Sequence, residues 1–178
     1  MPQSNVVITG LGVVSSIGIG CEPFFDGLLA ARSGVRSLAD RTDGHARPGS
    51  VSEPAGLWIG APILDFDSKQ YVRPRKALKV MCREIQLAFA ASQLAIDHAG
   101  WSDSMPAECG GNVEPRDIGA VFGSEMFYGL PTEMEDVIKH CMRPDGSVDG
   151  SKFGGMAMRD VMPLWMLKYL PNMPACHV

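Results

Sequence analysis

An α/β fold is predicted for this chain by the alternation of two hydrophobic periods. β-Branched or small apolar runs, "VVIT" and "IGAV", read as buried strands, and stretches with helical spacing separate and follow them. Glycine-rich turns stand where one period gives way to the other. With 178 residues, 46% of them hydrophobic and 20% charged, the chain can bury one sizeable core, and no internal repeat or evident linker divides it.

Taken in order, "NVVITGLGVVSSIGIG" opens with Val6, Val7, Ile8 and Thr9 and then breaks at Gly10, Gly12, Gly18 and Gly20, a buried strand entering a glycine-rich loop. "CEPFFDGLLAARSG" is a short amphipathic helix: Pro23 suits a first turn, Phe24, Leu28 and Ala31 share a face, and Gly34 lies just past the end. Residues 36–60 read as a surface excursion, followed by the extended segment "IGAPILDFD". The strongest helix runs from Pro74 to Ala99, with Leu78, Met81, Ile85, Ala88, Ser92 and Ala95 on one face and Gly100 as the stop. After a loop over residues 102–117, "IGAVFGSE" is a second buried strand that turns near Gly129. "PTEMEDVIKHCM" has a helical pattern, and "RPDGSVDGSKFGG" reads as an exposed, mobile loop before the Met-rich, aromatic "MAMRDVMPLWMLKYLPNM".

Sixteen basic against 20 acidic residues give a net charge of −4, which speaks against a general nucleic-acid binder. "MPQSNVVITG" lacks the basic start and apolar core of a signal peptide, and no run is apolar enough to span a bilayer, so the chain reads as cytoplasmic. Cysteines at 21, 82, 109, 141 and 176 form no CxxC pair, which leaves neither a zinc site nor a disulfide framework and makes reduced thiols the expectation. His98 and His140 are expected to make local contacts rather than to bind metal.

A strand entering Gly10-x-Gly12 matches the start of a dinucleotide-binding loop. Ser15 stands where the third glycine belongs, and no acidic strand end follows at ribose-binding distance, so a tight turn packed against a neighbouring strand is the expected role. A nucleotide-binding α/β module stays open as an alternative.

The segments "VVITGLGVVSSIGIG", "LLAARSGV", "LDFD", "IGAVFGSE" and "PNMPACH", in that order, resemble the N-terminal part of a β-ketoacyl-acyl carrier protein synthase of the elongating type. The resemblance implies a thiolase-like, five-layered α-β-α-β-α fold. This chain would supply its N-terminal half as a single domain over residues 1–178 that stops before the nucleophile turn. It also implies an acyltransferase of fatty-acid or polyketide synthesis, in which an acyl group held on a cysteine is condensed with malonyl-acyl carrier protein after decarboxylation, with two histidines assisting. The implied partners are acyl carrier protein, acyl and malonyl thioesters, and a second subunit in a homodimer or in a heterodimer with a related chain; no cofactor or metal is implied.

The family's cysteine and both histidines fall beyond Val178. Cys176 occupies a position where relatives commonly carry glycine, and His177 belongs to the same upstream segment, so neither is assigned a catalytic role despite their adjacency. The resemblance places Met126 at a pocket-gating position and Trp165, with Met166 beside it, in the acyl pocket; ordinary core is the alternative. It assigns Arg75, Lys76 and Lys79, which with Arg83 share a face of the expected helix, to docking the acidic acyl carrier protein; a solvated face is the alternative. A non-catalytic, chain-length-factor-like subunit fits the same residues, and the fragment by itself is expected to be inactive.

Overall fold

The computed structural model describes residues 5–37, 59–101, 118–124, 129 and 131–178. The chain forms two compact units, Met1–Asp67 with Ala90–Gly110, and Ser68–Phe89 with Gly111–Val178, so that the division falls inside one helix.

In the first unit, strands β1 (Val14–Ser15) and β2 (Gly18–Ile19) form an antiparallel hairpin, with Val14 opposite Ile19 and Ser15 opposite Gly18. Ser15 closes it: its Oγ accepts the N–H groups of Ile17 at 3.3 Å and Gly18 at 3.2 Å and donates to the Gly18 carbonyl at 2.9 Å. Helix α1 (Cys21–Leu29) follows with Pro23 in its first turn and Gly27 buried against Ile17, while Leu28 stays exposed. Strands β3 (Arg36–Ser37) and β4 (Ile59–Gly60) make a second antiparallel pair.

Helix α2 (Arg83–His98) supplies its residues from Ala90 onward to this unit, and Ala90 is fully buried. A Cβ added to Gly12 would lie 1.9 Å from the Ala91 carbonyl oxygen, and one on Gly10 would lie 2.2 Å from that of Ala95. The glycines of the loop are therefore there to let it lie directly on an alanine-lined helix backbone. The expected neighbour was a strand; the actual one is a helix. Leu11 N–H donates to His98 Nδ1 at 3.1 Å, the kind of local contact expected of that histidine.

Among the described residues, neither of the two buried strands expected from the sequence forms. Val6, Val7 and Ile8 are exposed, as are Ile118 and Val121, and none of them lies in a strand. A strand is stable only when a neighbour completes its hydrogen-bond ladder. Among the described residues the ladders are the short pairs β1–β2 and β3–β4 and an isolated bridge between Met142 and Val148.

In the second unit, the core is Val72, Met81, Cys82 and Ile85, with Ala77, Leu78, Phe89, Tyr169 and Met173 packed around it. The helix expected from Pro74 to Ala99 is broken here. A 3-10 turn covers Arg75–Val80, Met81 is extended (φ −113°, ψ 121°), and α2 starts at Arg83. In an uninterrupted helix, Met81 and Cys82 would point about 100° apart. The extended residue lets both enter the core, at 3% and 8% exposure.

Further along, a 3-10 turn at Pro131–Met134 runs into helix α3 (Glu135–Cys141), where Val137 and Cys141 are buried. The mobile loop expected over residues 143–155 is shorter than that. Helix α4 (Gly150–Asp160) claims its second half, because Asp149 caps the helix by accepting Ser151 N–H at 3.1 Å and Arg143 pairs with the same carboxylate at 3.2 Å. A 3-10 turn at Trp165–Tyr169 and helix α5 (Met173–His177) complete the unit.

Candidate functional site

A partly buried polar cluster gathers on Glu133, in the turn before α3. Its Oε2 accepts the indole N–H of Trp165 at 2.6 Å and the hydroxyl of Tyr169 at 2.5 Å, and its Oε1 accepts from Lys168 Nζ at 2.8 Å. A 3-10 turn repeats every three residues, which brings Trp165 and Lys168 into line; Tyr169 stands a third of a turn away and reaches the same carboxylate through its phenol. Burial pushes the Glu133 carboxyl up. The bonds from Lys168, Tyr169 and Trp165, with the lysine charge, outweigh that and hold it below the usual value. The two rings tilt against each other with centroids 5.1 Å apart, and a Cβ on Gly129 would stand 3.1 Å from the Trp165 ring.

A second polar group joins α3 to α4. His140 Nδ1 meets Asp160 Oδ2 at 2.7 Å, and Arg159 holds the other oxygen of Asp160 at 2.7 Å. This too is a local contact, as expected of His140. No cluster of three His, Cys, Asp or Glu suited to a metal ion occurs among the described residues, and none of their helices is long and apolar enough to cross a membrane.

The thiols differ sharply. Cys82 is buried, which raises its pKa to about 11, and Cys141 is buried as well. Cys176 is exposed on α5, where Asn172 Nδ2 approaches its sulfur at 3.6 Å. His177 Nε2 is buried with no hydrogen-bond partner among the described residues, and burial holds the imidazole below its usual value. No hydrogen bond joins Cys176 to His177 among the described residues, since consecutive helical side chains diverge.

The family model for the β-ketoacyl synthase N-terminal domain matches residues 3–177. The chain belongs to the β-ketoacyl synthase family. This synthase domain is 32% identical over 101 residues to a 3-oxoacyl-[acyl-carrier-protein] synthase 2 of Synechocystis sp., covering 56% of the chain and 21% of the relative. It is 32% identical over 133 residues to the synthase of the same name in Coxiella burnetii, covering 74% and 27%. To the tetracenomycin polyketide synthase ketoacyl synthase beta subunit of Streptomyces glaucescens it is 31% identical over 105 residues, covering 59% and 23%. The matched segments thus span 21% to 27% of these curated relatives. Among solved structures, the ishigamide ketosynthase/chain length factor superimposes with a TM-score of 0.53 at 22% identity, over 94% of this chain and 34% of that one. That likeness shows the α/β, thiolase-like fold.

Of the residues assigned from sequence to the synthase's acyl pocket, Met126 lies outside the described residues. Trp165 is half-buried in the Glu133 cluster, and Met166 beside it is exposed. Arg75, Lys76 and Lys79 are exposed on the 3-10 turn before α2. In that geometry Lys76 and Lys79 align, and Arg75 stands a third of a turn away. Glu133, Lys168 and Tyr169 were not singled out by sequence reasoning, and Gly129 was read only as a turn. The signal was present in "WMLKY", whose three donors fall at i, i+3 and i+4 and therefore call for one acceptor.

Proposed function

We propose that this chain is the N-terminal portion of a β-ketoacyl-acyl carrier protein synthase, an acyltransferase of fatty-acid or polyketide synthesis. The observation that carries this reading is the family match across residues 3–177. In the complete protein a cysteine thiolate attacks an acyl thioester and releases the carrier thiol. Malonyl-acyl carrier protein loses carbon dioxide to give an enolate, which attacks the acyl-enzyme and expels the thiolate, leaving a β-ketoacyl chain on the carrier. The five-layered fold, the subunit pairing and a cytoplasmic location belong to the same proposal.

Within it, Met126, Trp165 and Met166 line the acyl pocket, and Arg75, Lys76 and Lys79 dock acyl carrier protein. The aromatic ring held at Trp165 and the exposure of the three cations support these roles. The 178-residue chain is inactive alone, because its described thiols are either buried or not bonded to a base. The test is condensation of acyl and malonyl carrier-protein substrates by a complete protein containing this domain, with carbon dioxide release as the readout. Absence of condensation by a folded complete protein, with or without a partner synthase, would refute the reading.

A chain-length-factor-like role has its own support, since one relative is a ketoacyl synthase beta subunit and the structural neighbour's name includes a chain length factor. Condensation only when a catalytic partner is co-expressed decides for this second reading.

A further inference from the structure

Trp165 is held from two sides. Its indole N–H is bonded to Glu133, a carboxylate 32 residues earlier, and its six-membered ring abuts Gly129, where a Cβ would lie 3.1 Å from Cζ2. An indole turns about two side-chain torsions, so fixing its tip and one flank sets the plane of the ring. The carboxylate is held in turn by Lys168 and Tyr169, from the same turn as Trp165. A half-buried carboxylate that serves three donors acts as a unit, and removing it takes away the acceptor of the indole N–H. The 2.6 Å bond is short for an indole donor, as expected for an ionised acceptor.

We infer that Glu133 and Gly129 are positioning residues for Trp165, and that through the angle of its ring they set which acyl-chain lengths the synthase accepts. The inference rests on the proposed pocket role of Trp165. Neither residue touches the acyl chain; Glu133 acts by a hydrogen bond and Gly129 by leaving room for the ring. Selection among acyl thioesters that differ by methylenes is sensitive to such a wall, since one methylene in an apolar pocket changes kcat/KM by about 10- to 200-fold.

The test uses a complete synthase containing this domain, with two readouts. One is the kcat/KM ratio for two acyl thioesters two methylenes apart. The other is Trp165 fluorescence with every other tryptophan, Trp58 and Trp101 included, replaced by Phe. Glu133→Ala and Trp165→Phe are each expected to move the ratio by roughly tenfold in the same direction, and the double variant no further than either alone. Glu133→Gln keeps an acceptor for the indole and is expected to restore most of the ratio while losing the lysine pair. If Trp165→Phe moves the ratio and Glu133→Ala does not, although its fluorescence shifts, the positioning role is overturned and the pocket stands. If Trp165→Phe itself leaves the ratio unchanged, the pocket reading fails and takes this inference with it. Should Glu133→Ala not fold, Gly129→Ala decides: its methyl presses on the ring, and an unchanged ratio in a folded protein overturns the inference.

Discussion

A Cβ placed on Gly12 would lie 1.9 Å from the carbonyl oxygen of Ala91 and 2.6 Å from the amide nitrogen of Ala95, so at this point the N-terminal loop touches the bare backbone of α2. Backbone cannot rotate away as a side chain would. Gly12→Ala is therefore expected to lower unfolding stability by about 1–3 kcal/mol, seen as a fall in the urea midpoint at unchanged slope. Gly154 is the control: it lies within α4, a Cβ there meets nothing within 4 Å, and Gly154→Ala should raise stability by about 0.5–1 kcal/mol. Equal effects at the two sites would show that the close approach at Gly12 is not needed.

That contact also shows what was legible in the sequence. Gly10-x-Gly12 announced a place where backbone comes close to something, but whether that something is a phosphate, a strand or a helix lies in residues some eighty positions later. Local signals served well where local physics decides. Pro23 placed α1, and the helical pattern of "PTEMEDVIKHCM" placed α3. They failed where tertiary burial decides: the need to bury both Met81 and Cys82 broke a helix whose apolar face was continuous on paper. The strands at Val6 and Val121 failed for the complementary reason, since an apolar run becomes a strand only with partners. Trp165 was found through resemblance, while its acceptor Glu133 looked like one more acid in a polar helix start.

Acid should expose the Glu133 cluster. The carboxyl is held below its ordinary value in the folded chain, so it contributes stability that is fully present above the unfolded-state value of 4.5 and is lost as pH falls through the lower folded value. A protonated Glu133 would keep its shape but lose the charge that Lys168 and the two ring donors answer. Glu133→Gln is therefore expected to destabilise the chain at pH 7 by about 1–3 kcal/mol and to cost progressively less below pH 4.5. Denaturant midpoints measured between pH 3 and 7 check this, and a wild-type minus variant difference that grows on acidification would contradict it.

Docking of an acidic carrier protein should follow the geometry of the 3-10 turn. Lys76 and Lys79 align on one side, and Arg75 stands about 120° round. Exposed charge pairs contribute about 0.2–1 kcal/mol each, so Lys76→Glu with Lys79→Glu is expected to weaken acyl carrier protein binding roughly tenfold in low salt. Arg75→Glu should do less. The loss should shrink at high ionic strength and appear mainly in the association rate, measurable by stopped-flow fluorescence. Affinity that is unchanged in low salt would remove these lysines from the interface.

Cys176 is the one described thiol that is exposed on the surface, yet its chemistry is expected to be ordinary. A nucleophilic cysteine needs a base within hydrogen-bond reach and donors placed for the oxyanion. The neighbouring His177 meets neither need: its Nε2 is buried, no hydrogen bond links it to the thiol among the described residues, and burial lowers its affinity for the proton a base must take up. Peptide-level mass spectrometry after brief alkylation at pH 7.5 should find Cys176 modified well ahead of Cys82 and Cys141, at the modest rate of a free thiol. In a complete synthase, Cys176→Ala should change kcat for condensation by less than about twofold, whereas losing a true nucleophile costs several powers of ten. A specific loss of acyl-enzyme formation in the folded Cys176→Ala protein would place the nucleophile here after all.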